Sequence, residues 1–522
     1  MRTATIVSAV LLLCCSVVAT ADDGSAFRLL NRLAYGPRPG DVARVQQFGT
    51  ERYIEQQLQP VAEPVVLQQQ LAALKTTTLS AAELFATYGP QLRKLAKADD
   101  AAKAEYRDSI REVVEQAEDA RMLRALYSPN QLQEVMVDFW FNHFNVYDGK
   151  GLQGRLLVGP YEREAIRPYV FGKFRDLLGA TAKHPAMLFY LDNWRSTAEG
   201  FKPAAGPNKD KPAGLNENYA REVMELHTLG VDGGYSQTDV TELARILTGW
   251  TYDPRAMARG GGDSGFVFVA RRHDHGPKKF LGTTFDDSGQ AEGEWALDLL
   301  AHSPATAQHI AYQLVQYFVA DVPPPALVQR VAARFRSSDG DLRETLRALL
   351  LSPEFLDPNS KKFKTPYQYL LSALRASAVE LSNLRPVLVA LRSMGQPIYG
   401  CPTPDGWMNT QDAWLNPAAL TQRVNFATAL GAGRLPTLAT VLAKLDLKAN
   451  AEAVENDTRA AMNAVEREPQ NSPTAGHFLA VSDLQITLRG LVLSDATQAT
   501  IAQSPPPLQA ALLLGSPEFM YR

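Results

Sequence analysis

Apolar residues recur at every third or fourth position along most of the chain, the period of an amphipathic helix. The pattern predicts helices over 29–35, 53–58, 101–127, 132–145, 165–183, 217–229, 239–247, 305–319, 326–336, 341–351, 367–381 and 418–430. Alternation with period two is confined to 265–270 and 279–281, which flank a polar turn and together predict one small hairpin. The expected fold is all-α and large, with a minor β-hairpin near residues 265–281. Segments 348–355 and 511–519 echo each other, each an aliphatic helix end stopped by Pro with a Phe behind it. Two copies do not make a solenoid, which needs at least three units at a fixed period.

The N-terminus departs from this pattern. Arg2, an apolar run from Ile6 to Val18 and the small residues of Ala19-Thr20-Ala21 form a signal peptide pattern over 1–21. The run is too short to span a bilayer, and no later stretch approaches the length of a transmembrane helix. The expected protein is therefore exported, periplasmic or extracellular, with no membrane anchor. Cleavage would remove Cys14 and Cys15 and leave Cys401, so no internal disulfide could form. It would also reduce 53 basic residues to 52 against 56 acidic ones, a net charge of −4 that carries no footprint for nucleic acid. Residues 22–522 read as a single helical domain with softer segments near 256–263, 357–364 and 450–474.

Three constellations carry candidate chemistry. In the first, Glu134, Asp138, Asn142 and Asn145 share one stripe of a helix that is otherwise Phe, Trp, Val and Met. Two carboxylates four residues apart on a buried helix need a facing cation, either Arg or a metal. His143 falls in the apolar arc. In the second, Glu217, Asn218, Arg221, Glu222 and Glu225 share one helix face, with Asn216 placed to cap it and His227 again on the apolar side. The third is His273-Asp274-His275-Gly276 on a loop, where imidazole and carboxylate suit zinc or iron or, more simply, a capped polar turn. The signatures of zinc peptidases, serine hydrolases and phosphate loops are absent from the sequence.

Seven short motifs occur in one order: Leu30-Asn-Arg-Leu-Ala-Tyr-Gly-Pro37, Phe139-Trp-Phe-Asn-His-Phe144, Pro185-Ala-Met-Leu188, Asn216-Glu-Asn-Tyr-Ala-Arg-Glu222, Leu247-Thr-Gly-Trp250, His273-Asp274 and Asp405-Gly-Trp407. Together they resemble the bacterial family of unknown function numbered eighteen hundred, from about Phe27 to the C-terminus. The resemblance implies an exported, largely helical protein without an established activity, often encoded beside exported phosphatase- or sulfatase-like proteins. The family pattern often has Phe at the position of His227, which argues against a catalytic role there.

Two functions compete. In the first, a metal-dependent hydrolase, His143, Glu222 and His273 hold a divalent metal. Glu217, Arg221, Glu225 and Asp274 complete the catalytic site against the stripe of Glu134, Asp138 and Asn142, with Arg245 as a further counter-charge. In the second, the chain is a non-catalytic helical partner or chaperone of an exported phosphatase- or sulfatase-like protein.

Overall fold

The computed structural model describes residues 22–89, 99–202, 214–259, 265–381, 383–435 and 479–522. The expected signal peptide over 1–21, the soft segment 450–474 and positions 260–263 lie outside the described residues. The molecule is mostly helical, with strands confined to two short pairs. The helices that build the regions of interest are α1 (Asp23–Leu33), α2 (Asp100–Tyr127), α3 (Gln131–His143), α4 (Leu152–Tyr161), α5 (Phe174–Lys183), α6 (Asn218–Glu225), α7 (Gln237–Ile246), α8 (Gln290–His302), α9 (Pro304–Phe318) and α10 (Pro366–Ser377). One continuous apolar cluster runs from Ala26 to Met520. Among the described residues, no helix is long and apolar enough to cross a membrane.

Helix α3 lies at the centre. Phe139, Trp140 and Phe141 are all buried, as expected of a helix with almost no polar face. It packs against α1, α2 and the segment that follows α4. That segment differs from the predicted continuous helix over 165–183. A π-turn over Glu162–Ile166 and a 3-10 turn over Arg167–Tyr169 precede α5. Pro168 has no backbone N–H to continue the ladder, so the helix breaks there. In this segment Arg167 meets both Glu134 of α3 and Glu162.

The second difference is at 217–229, where α6 ends at Glu225 rather than Leu229. The chain turns through Gly230 at φ +83°. The carbonyls of Leu226 and His227 are left without helical donors and must find them elsewhere.

Strands β1 (Trp250–Tyr252) and β2 (Phe266–Phe268) pair with each other, as do β3 (Lys278–Phe280) and β4 (Thr283–Phe285). Thus the segments 265–270 and 279–281 each contain strand residues, but they do not pair together as the sequence suggested. Leu281 and Gly282, both at positive φ, form a two-residue turn whose twist folds β3 directly onto β4. The echoing segments both end as predicted, with Phe355 and Phe519 buried behind a helix end.

Candidate functional site

The stripe on α3 is balanced by arginines. Arg167 grips Glu134 with two bonds of 2.6 and 3.0 Å and reaches Glu162 at 3.0 Å. Arg121 of α2 bridges Asp138 and Glu162, its plane within cation–π range of Phe141, Tyr367 and Tyr399. Burial works against the charge of Arg167, but Glu134 and Glu162 hold its pKa above the ordinary value. Burial likewise opposes ionisation of Glu162, which Arg121 and Arg167 nonetheless hold below the usual carboxylate range. Of the two cations weighed for this stripe, the structure supplies arginine. Arg245, offered as a further counter-charge, instead binds Glu242 and Asp274.

The same stripe continues in amides that hold a loop. Asn142 accepts from the Trp407 N–H at 2.7 Å and donates to the Trp407 carbonyl at 2.9 Å. Asn145 donates to the carbonyls of Cys401 and Thr403. Between Asp405 and Trp407, Gly406 sits at φ +71°, and a Cβ there would lie 2.4 Å from the Asn142 carbonyl oxygen. Only glycine fits that approach, which gives the Asp-Gly-Trp motif its physical content. Cys401 is buried in this loop and burial pushes its thiol pKa up, which disfavours the reactive thiolate.

The loop closes a cavity of about 200 Å³ between α3, α9 and α10. Its wall is rich in amides, from Asn142, Gln313, Gln316, Gln368, Gln396 and Asn409, with Phe139, Tyr317 and Trp407 as aromatic surfaces. Asp138 and Asp405 also line it. The Tyr317 hydroxyl donates to Asp138 at 3.3 Å and accepts from Gln368 at 3.2 Å. Burial raises the Asp138 pKa, with Arg121 opposing.

His143 forms part of this wall. Its Nε2 lies 3.1 Å from the His227 carbonyl and its Nδ1 2.7 Å from the Gln313 amide. The Nε2 of His309 lies 3.1 Å from the Leu226 carbonyl and 3.0 Å from the other end of the same amide. Both carbonyls can only accept, so each histidine carries its proton on Nε2. The remaining contacts are satisfied when the Gln313 NH₂ faces His143 Nδ1 and its oxygen faces His309. The two rings thereby satisfy the carbonyls left free at the end of α6. Burial, then His309, pushes the His143 pKa down to about 4. His227 is buried beside Phe144, and among the described residues neither of its ring nitrogens has a hydrogen-bond partner.

The polar face of α6 divides in two. Glu217 takes bonds from Arg221, Gln237 and Thr241, an ordinary clasp to α7. Glu222 is half-buried, and burial followed by the charge of Glu225 raises its pKa, with Asp405 adding to the effect. Glu222 therefore shares one field with Glu225 and with Asp405, which lines the cavity.

The third constellation stands apart. Thr248 accepts from the Asp274 N–H at 2.8 Å and, through its carbonyl, from His273 Nδ1 at 2.9 Å. Gly249 at φ +80° lets the chain pass the Val269 carbonyl, so Leu-Thr-Gly-Trp and His-Asp form one unit. Asp274 is bound by Arg245 and by the Gly276 N–H. Burial opposes its ionisation, but the Arg245 bond holds its pKa low. His273 faces Glu292 of α8 and Lys278 of β3 lies beside them, all fully buried. His275 is exposed and pairs with Asp287 at 2.9 Å.

The expected metal set of His143, Glu222 and His273 is thus not assembled. Among the described residues, the metal-sized group of His, Cys, Asp and Glu is His273, Asp287 and Glu292. Glu217 and Arg221 bond to α7 and Asp274 to Arg245, while Arg121 and Arg167 hold the α3 stripe. Sequence reasoning missed Gln313, Gln368, Gln396, Asp287 and Glu292. The one available signal was Asp405-Gly-Trp407, whose glycine marks a close backbone approach.

Searches of curated proteins and of solved structures return no match. The sequence profile of the family described as "Protein of unknown function (DUF1800)" matches residues 28–521. The match covers nearly the whole chain, including the α3 stripe, the Trp407 loop and the His273 unit, and the protein belongs to the DUF1800 family.

Proposed function

We propose that the chain binds a small, hydroxyl-rich ligand without negative charge, a glycan fragment, in the cavity closed by Trp407. The observation that carries this reading is the composition of the wall. Planar amides, two hydroxyl-bearing residues and two carboxylates surround aromatic faces, a set that recognises sugar hydroxyls by hydrogen bonds and sugar C–H faces by contact. Arg121, which touches Asp138 of the wall, is already bound to Asp138 and Glu162, and Asp405 of the wall lies in one field with Glu222 and Glu225. An anionic ester would meet repulsion there. The volume equals that of about seven waters at roughly 30 Å³ each, room for about one sugar ring.

Calorimetric titration with neutral, amino and sulfated saccharides tests the reading. Neutral or amino sugars are expected to bind one to one, and Trp407→Ala to weaken them at least tenfold, about 1.4 kcal/mol. Binding confined to sulfated or phosphorylated sugars, or no binding, defeats it. Hydrolysis of the bound glycan is the second reading, favoured by two carboxylates on one cavity, and its readout is release of new reducing ends. It needs no metal held by His143 and Glu222. The non-catalytic partner of an exported phosphatase- or sulfatase-like protein draws instead on the groove lined by Leu488, Leu491, Val492 and Ile501. It expects no saccharide to bind. We further propose export, supported by the signal pattern over 1–21. A secreted form whose mass begins near Asp22 is the expected result, and one retaining Arg2 refutes it.

A further inference from the structure

We propose that His273, Asp287 and Glu292 form a binding site for one first-row divalent cation, with zinc the fitting choice, separate from the Trp407 cavity. Ligand atoms of the three residues lie within 4.8 Å of one another. The tautomer of His273 is set by its surroundings. Nδ1 donates to the Thr248 carbonyl at 2.9 Å, so Nε2 presents a lone pair. That lone pair points 3.3 Å from Glu292 Oε2, a second acceptor, in a place where both side chains are fully buried. Neither atom has a hydrogen-bond partner. Two facing acceptors need a proton or a cation between them, and a divalent ion satisfies both at once. A tetrahedral ion with bonds of about 2.0–2.1 Å sets its ligand atoms about 3.3 Å apart, the separation found here. Glu292 Oε1 is fixed by the Ser288 N–H at 3.1 Å, which leaves Oε2 for the ion. Asp287 supplies a third oxygen from the solvent side, where it now pairs with His275 at 2.9 Å, and water completes the coordination.

Lys278 Nζ lies 2.8 Å from Glu292 Oε2 but makes no bond of acceptable geometry. It is the competing cation. If it alone balances the cluster, the site is a buried ion pair and binds nothing. Cobalt titrated into chelator-stripped full-length protein decides between the two. One equivalent is expected to bind, with the intense visible bands of tetrahedral cobalt, and zinc is expected to abolish them. Asp287→Asn changes an exposed side chain, so the fold should survive, and affinity is expected to fall at least tenfold. Glu292→Gln should abolish binding wherever circular dichroism shows it folded. No stoichiometric cobalt or zinc binding by the wild type overturns the proposal. Undiminished binding by Asp287→Asn overturns it as well, because the ion then lies elsewhere.

Discussion

Arg121→Ala is expected to destabilise the protein by about 3–5 kcal/mol, the range for removing one partner of a buried charge network. Among the described residues, the guanidinium alone touches both Asp138 and Glu162, and it lies within cation–π range of Phe141, Tyr367 and Tyr399. Its loss leaves Asp138 with the Tyr317 hydroxyl and Glu162 with Arg167 and the Tyr399 hydroxyl. Lysine cannot restore the bridge, since one ammonium does not span two carboxylates in the plane that a guanidinium does. Chemical denaturation of wild type, Arg121→Ala and Arg121→Ala/Asp138→Asn measures the effect. The double variant should recover part of the loss, because it no longer buries an unpaired charge. A loss under about 1 kcal/mol in the single variant would show that the network is solvated and the account above is mistaken.

Acid should unfold the protein through its histidines before it reaches its paired carboxylates. His143 stays neutral in the fold down to about pH 4, whereas the unfolded chain protonates it near 6.5. Between those values the unfolded state holds more protons, so stability falls as pH falls. His143 alone accounts for about 3 kcal/mol across that window. Burial also lowers the pKa of His227 and His309, so both act in the same direction. Asp138 and Glu118, raised by burial, oppose this trend, and the comparison must therefore be made between variants. His227→Phe removes one titrating ring and two unpaired nitrogens from an apolar site. It is expected to gain about 1–3 kcal/mol at neutral pH. Its stability should also decline less steeply, by up to about 1.4 kcal/mol per pH unit. Parallel slopes for the two proteins would refute the role given to His227.

The helical class was legible because helical periodicity is local, and the charge requirement of the α3 stripe was legible for the same reason. Two like charges on a buried helix demand a cation wherever the rest of the chain lies. Which cation could not be read. Arg121 comes from α2 and Arg167 from the 3-10 turn that contains Pro168, and no spacing along α3 encodes either. The cavity was hidden for a related reason. Glutamines in helices look like solvated positions, and Gln313, Gln368 and Gln396 become one wall only when α9, α10 and the 396–409 loop meet. The strand pairing failed at Leu281, a residue that rarely adopts positive φ and so gave no turn signal. His273 stood out in the sequence, but its neighbours Asp287 and Glu292 are separated from it by a hairpin.

Asn142 serves both the N–H and the C=O of Trp407 with one amide, so the indole's backbone is fixed from the core side before any ligand arrives. A ligand entering the cavity would find its stacking surface already in position and would lose little free energy to ordering the loop. The kinetic consequence is a single association step. The observed rate should rise linearly with ligand concentration, without the plateau that a slow loop closure imposes. Asn142→Ala, which frees the loop, should introduce that plateau while leaving every side chain that lines the far wall unchanged.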